Sequence, residues 1–203
     1  MTVNFDIFQK QKKITLTENL IVYCSLTIFF LLAWLFSKTD LETVENIFKG
    51  LAISTLLLGI YFKINQHTKY EKLNGKLIGK IEFYKDRIKV IDREIFLDQI
   101  SKLDFEFNDY EGNYRPPMRG DFNPALSNGV DNSIKIDLLT KEKIHLNVKI
   151  NYEGQPKQLR EYLVEYMKTD KISAYKVATV LGLRNYQEIQ EFKENTTTNS
   201  GLP

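Results

Sequence analysis

Two long apolar runs dominate the pattern of the chain, Leu20 to Phe36 and Ile47 to Ile64. The first, LIVYCSLTIFFLLAWLF, has no charged residue between Asn19 and Ser37 and no polar face. A helix apolar on every side lies either deep in a core or in lipid, and the run is close to the roughly 20 residues that cross a bilayer. The second, IFKGLAISTLLLGIYFKI, is interrupted by Lys49 and closed by Lys63. Both lysines lie near an end, where the stem can follow lipid and the amine reach the headgroups. The linker at 38–46 is short, so the pattern predicts an antiparallel two-helix hairpin over residues 19–64.

Further on the period becomes two. LIGKIEFY places Leu77, Gly79, Ile81 and Phe83 on one face, and RIKVI and EIFL follow after turns at Lys85-Asp86 and Asp92-Arg93. ISKLDFEF alternates again, with Leu103, Phe105 and Phe107 inward, and SIKIDLL and KIHLNVKI give two more half-buried strands. Between these groups lies an insert at 108–132, NDYEGNYRPPMRGDFNPALSNGVDN, rich in turn formers. It is far longer than an ordinary hairpin loop, and its aromatics Tyr110, Tyr114 and Phe122 argue for order. From Pro156 to Lys168, Leu159, Tyr162, Leu163, Tyr166 and Met167 trace a helical stripe with Pro suited to the first turn. Short helices are expected at Ser173–Leu181, N-capped by Ser173 and stopped by Gly182, and at Arg184–Lys193.

The chain therefore divides into an N-terminal segment (1–18), the hairpin (19–64), a basic stalk (65–76), a domain at 77–168 carrying the insert, a helical extension (169–193) and a tail (194–203) disordered by composition. The strand-turn-strand GKIEFYKDRIKV, the run REIFLDQISKLDFEF and the helix QLREYLVEYM resemble bacterial pleckstrin-homology-like (PH-like) domains over residues 74–168. Two spans followed by such a domain resemble membrane proteins of that group. The resemblance implies an α+β fold: a transmembrane α-hairpin, then an antiparallel PH-like barrel or sandwich capped by a helix, with extra short C-terminal helices. The insert departs from a minimal version. It also implies a scaffold that binds lipids, peptides or proteins without catalysis, although fold does not fix function.

Charge gives a direction. Lys10, Lys12 and Lys13 precede the first run, and Lys63, Lys69, Lys72 and Lys76 end or follow the second. The linker side holds Lys38 and Lys49 against Asp40, Glu42 and Glu45. By the positive-inside rule both termini are expected in the cytoplasm, in a multi-pass protein of the cell inner (cytoplasmic) membrane. A signal peptide fits less well, because the apolar stretch is long and FSKTD offers no small-residue cleavage site. The net charge of +2 on 203 residues argues against a general nucleic-acid binder. Ala178 and Gly182 have helix-turn-helix spacing, but Glu188, Glu191 and Glu194 would oppose phosphates, so no nucleic-acid partner is expected. The single cysteine, Cys24, lies inside the first run and leaves no intrachain disulfide.

Neither His67 nor His145 belongs to a paired-histidine motif, and no nucleotide-binding or nucleophile-elbow fingerprint occurs. No catalytic, cofactor or metal residues are therefore assigned, and the chain is not expected to be an enzyme. Asp109, Glu111, Asp121 and Asp131 are potential calcium ligands, with capping of their own backbone the simpler role. Arg115 and Arg119, around Pro116-Pro117-Met118, could grip an anionic headgroup or an acidic peptide. Lys85 and Arg87 at the first hairpin turn are a second candidate anion site, and Tyr110, Tyr114 and Phe122 are candidate partner contacts. Gly50, Ser54, Thr55 and Gly59 suit close helix packing, within the hairpin or in a homo-oligomer. The leading expectation is a membrane-anchored adaptor or regulator that docks a protein or anionic lipid. The alternative is an oligomerising two-helix membrane effector gated by its cytosolic domain.

Overall fold

The computed structural model describes residues 2–12, 16–39, 41–183 and 185–198, without the side chains of 193 and 195–198. Lys13 and Asp40 of the charge count, Arg184 at the start of the last expected helix, and residues 199–203 of the tail lie outside the described residues. The chain forms two compact units. One comprises Met1–Gln11, Gly75–Asn113 and Asn128–Pro203, the other Lys12–Asn74 and Tyr114–Ser127.

The fold is α+β. In chain order the strands are β1 (Val3–Lys10), β2 (Gly75–Phe83), β3 (Arg87–Val90), β4 (Arg93–Phe96), β5 (Ile100–Phe107), β6 (Glu111–Tyr114), β7 (Leu126–Asn128), β8 (Asn132–Leu138) and β9 (Lys143–Lys149). The helices are α1 (Glu18–Phe36), α2 (Glu42–Asn65), α3 (Arg160–Lys168), α4 (Ala174–Val180) and α5 (Tyr186–Thr198). Seven strands make one antiparallel sheet in the order β4-β3-β2-β1-β9-β8-β5, and β6 with β7 make a separate two-stranded sheet.

β1 lies in the segment expected to be only a lead to the first span. Its Phe5 and Ile7 are buried in the core, and the strand pairs with β2 on one side and β9 on the other. The pairing runs from Val3↔Phe83 to Lys10↔Gly75, so the entire hairpin is an insertion between two neighbouring strands. Phe8 closes this end. A Cβ on Gly75 would fall on the Gln9 carbonyl oxygen and on the Phe8 ring. Leu77, expected inward, is 47% exposed. Within β2, only Ile81 to Phe83 pair with β3, so the first half of β2 runs past the core.

The sheet is not a closed barrel, because β4 and β5 remain its two edges. They are nevertheless joined by nothing but the 3-10 turn Leu97–Gln99. A flat sheet would hold them about 29 Å apart at the usual strand spacing, whereas this connection reaches about 14 Å. The sheet must curl strongly, and its concave face is the core: Ile81, Phe83, Ile88, Leu103, Ile134 and Val148 share one cluster with Leu163 and Tyr166 of α3 and Val177 of α4. A 3-10 turn at Gln155–Leu159 replaces the first turns of the expected long helix, with Pro156 near its start. Tyr166 is fully buried in this core, and its hydroxyl donates to the Tyr84 carbonyl at 2.5 Å. Ser173 caps α4, accepting from Lys176 N–H. α5 continues to Thr198, past the point where disorder is expected.

In the other unit, α1 and α2 are 19 and 24 residues long and pack against each other. Thr17 caps α1 by accepting from the Leu20 N–H. The buried positions are Val22 and Ala33 on α1 and Ala52, Thr55 and Gly59 on α2. Small residues at this seam let the backbones approach. Phe36 and Phe48 stack at 5.6 Å where the chain reverses. Only 6% of the apolar stretch of α1 and 17% of that of α2 are buried, which separates them from core helices of a soluble protein. Both are candidate membrane spans by length and composition.

Candidate functional site

Residues 114–127 are not a free loop. They bracket the ends of α1 and α2 that adjoin the sheet strands in sequence. The Asn19 side-chain amide donates to Asp121 Oδ1 at 2.8 Å, and its oxygen accepts the Phe122 N–H at 2.7 Å. Asp121 Oδ1 also accepts the Asn123 N–H at 2.9 Å, so this carboxylate is used as an Asx turn. On the second helix, Lys63 Nζ donates to the Asp121 carbonyl at 3.1 Å, and the Ala125 N–H donates to the Gln66 carbonyl at 2.8 Å. One turn deeper, the Tyr23 hydroxyl donates to the Gly120 carbonyl at 2.7 Å. Phe122 packs edge-on against the Tyr23 ring and lies over Gly59, beside Val22.

The stalk is bound into the same bracket. Tyr114 stacks on His67, and their polar atoms are 3.0 Å apart. Arg115 reaches Glu71 at 3.5 Å, and its N–H donates to the Ala125 carbonyl. Lys72 pairs with Glu18 at 3.2 Å and donates to the Leu16 carbonyl. Lys69 lies over the Tyr61 ring at 5.1 Å. Lys49, expected to reach headgroups, turns back instead to Glu45 at 2.5 Å. Of the RPPMR motif, the side chains of Met118 and Arg119 point away from this network, although the Met118 carbonyl accepts the Asp121 N–H. Met118 is 83% exposed, and Arg119 is exposed beside it.

The other sequence candidates separate. Tyr110 packs on the core of the sheet unit. Lys85 is exposed, but Arg87 lies between Asp86 at 3.0 Å and Glu94 at 3.6 Å, with its guanidinium over Tyr84. An anion there would have to displace two carboxylates. Gly50 and Ser54 are exposed on α2, whereas Thr55 and Gly59 are buried, so the four small residues occupy two different faces. Asp109 is buried and accepts from Asn113, and Glu111 pairs with Lys149 at 2.9 Å. These carboxylates already have protein partners.

Two carboxylates on the outer face of β5, Asp104 and Glu106, are paired with lysines. Glu106 accepts from Lys135 at 2.6 Å, and the hydrogen bonds from Lys135 and Ser133 hold its carboxyl below the usual range. Partial burial alone would raise the Asp104 carboxyl. The bond and charge of Lys176, 2.8 Å away, outweigh that and lower it, with help from Lys135. What the sequence did not disclose is a cleft of about 570 Å³ in the sheet unit. Phe107, Tyr110, Ile150, Val180 and Leu183 give it apolar walls, and Asp109, Glu153 and Lys157 line it with charge. It forms where the end of β5 meets the residues around the C-terminus of α4, a juxtaposition with no local signature. Its mixture of apolar walls and few charges suits a peptide segment or a small amphiphile. The chain matches no protein-family model, no curated protein and no solved structure.

Proposed function

We propose that the chain is a membrane-anchored binding module. α1 and α2 cross the cytoplasmic membrane, the sheet unit works in the cytoplasm as a PH-like domain, and a protein partner docks in the cleft beside α4. The observation that carries this reading is the register pair Lys10↔Gly75. The hairpin leaves and re-enters the sheet at adjacent strands, so both of its ends must emerge on the same side of a bilayer. Two crossings satisfy that requirement. Removal of α1 as a leader would also take away β1, with Phe5 and Ile7 from the core. In sequence, Lys10, Lys12, Lys63, Lys69, Lys72 and Lys76 flank the ends of the two runs that lead to the sheet strands, as the positive-inside rule asks of a cytoplasmic face. A curled seven-stranded antiparallel sheet covered by α3 supports the PH-like assignment. The test is cross-linking and co-purification from native membranes with Thr179→Arg and Lys157→Glu, both exposed residues of the cleft rim. The double variant loses the partner that wild type retains. An unchanged partner set contradicts docking in the cleft.

A second reading, an oligomerising membrane effector, is favoured by one observation: Gly50 has no atom within 4 Å of a Cβ, and Ser54 is exposed near it. Gly50→Ile is therefore silent within the hairpin and reports only on association. A change in membrane permeability that this variant abolishes supports the effector. Permeability that expression never alters removes it.

A further inference from the structure

Besides the two helices, the hairpin unit contains one more element placed to meet lipid. Asp121 N–H donates to the Met118 carbonyl at 3.0 Å, which folds Met118 to Asp121 into a turn. That turn is pinned at two depths. Asp121 is held by Asn19 and Lys63 at the ends of the apolar runs, and Gly120 is held by Tyr23. Tyr23 lies four residues into the helix from Asn19, about 6 Å further along its axis. The polar margin of a bilayer, between its hydrocarbon edge and bulk water, has a comparable thickness of about 5–7 Å on each side. Tyr23 and Tyr61, the latter with Lys69 over its ring, each lie within about a turn of the polar end of their helix, where interfacial aromatics gather. The turn thus lies in the headgroup layer if α1 and α2 span, and it presents Met118, the most exposed large apolar side chain described, next to exposed Arg119. An apolar tip beside a cation is the chemistry of an interfacial anchor.

We infer that the turn Met118–Asp121 is a third contact with the membrane: Met118 seats at the boundary of headgroups and acyl chains, and Arg119 binds lipid phosphate. This rests on the reading of α1 and α2 as spans. The occupant is the bilayer that surrounds the hairpin on that reading, and Gly120 and Asp121, which follow Met118 and Arg119, hold the turn at that depth.

The experiment uses the full chain with Cys24→Ser, reconstituted in phosphatidylcholine vesicles with or without phosphatidylglycerol. A bimane probe is attached at Met118→Cys, at Leu57→Cys in α2, or at Tyr175→Cys, which is 64% exposed in the sheet unit. Lipids spin-labelled near the headgroup quench the probe at 118 strongly, and aqueous iodide quenches it several-fold less than at 175. Phosphatidylglycerol deepens the probe at 118, and Arg119→Glu removes that response. Equal iodide quenching at 118 and 175, with no response to labelled lipid, overturns the inference. So does protection from iodide without lipid quenching, which would mean a protein covers the tip. If Leu57 also escapes quenching by deep-labelled lipid, the spans themselves are refuted. If Leu57 is quenched and 118 is not, the third contact alone fails.

Discussion

Asn19 and Asp121 stand 102 positions apart in sequence and share a hydrogen bond of 2.8 Å, while the Asn19 oxygen accepts the neighbouring Phe122 N–H at 2.7 Å. This reciprocal pair turns the long insert from a loop into a bracket on the hairpin. An asparagine at the mouth of an apolar helix would otherwise be a simple boundary residue. Here it satisfies backbone and side chain of another segment together.

Asn19→Ala should release the bracket. It removes both of these bonds and leaves the Phe122 N–H without its partner, a loss of about 2 kcal/mol and roughly a thirtyfold larger open population. Trypsin cleavage after Arg119 in detergent-purified protein measures it. Faster cleavage in the variant, with the thermal transition of the sheet unit unchanged, is the expected result. Identical cleavage rates would mean that the bracket is held elsewhere.

The root of the hairpin is a separate weak point. Gly75 lies under the Phe8 ring and against the Gln9 carbonyl, leaving no room for a side chain. Gly75→Val should cost about 1–3 kcal/mol through overpacking. Phe5→Ala should cost about 3–5 kcal/mol through the cavity it leaves among Phe83 and Phe107. Chemical denaturation of the purified chain, followed by sheet circular dichroism, reads both. A β1 that was only a lead to the first helix would leave stability unaffected by either change.

The pair Asp104–Lys176 ties α4 to the outer face of β5 and makes a pH prediction. The folded carboxyl is depressed, so the pair stabilises fully above the unfolded aspartate value of about 3.9. That contribution fades as pH falls through the lower folded value. Lys176→Met should lower stability at pH 7 by less than about 1 kcal/mol, as for other partly exposed pairs. The difference from wild type should vanish at acid pH. A gap in melting temperature that stays constant from neutral to acid pH would assign the effect to packing by the lysine stem.

Much of the fold was legible because it obeys local periods. The apolar runs mark α1 and α2, alternation marks β2 from Ile81 together with β3, β4, β5, β8 and β9, and the Leu159–Tyr166 stripe marks α3, whereas β6 and β7 lie within the insert and were not anticipated. β1 also alternates, with Val3, Phe5 and Ile7 against Asn4 and Asp6, but its partners lie far along the chain, in β2 beyond the hairpin and in β9 at Lys143–Lys149. A strand whose mates are that remote reads as a polar lead to the first run. The insert failed for the opposite reason. Its Asn and Asp residues signal turns, and they do form them, yet nothing local says that Asn19, Tyr23 and Lys63 receive those turns. Small-residue spacing gave Gly50, Ser54, Thr55 and Gly59 as one set, whereas the rotation of α2 buries Thr55 and Gly59 and exposes the other two. The cleft depends on the meeting of β5 with residues around α4 and has no trace in either segment alone.

The central claim is that one hairpin crosses the membrane and returns to the sheet on the cytoplasmic side. Single cysteines in a Cys24→Ser background test it most directly: Thr43→Cys at the exposed start of α2 and Tyr175→Cys in the sheet unit, each treated in intact cells with a membrane-impermeant maleimide. The account predicts labelling at 43 from outside and at 175 only after permeabilisation. Labelling of both positions from the same side would contradict it.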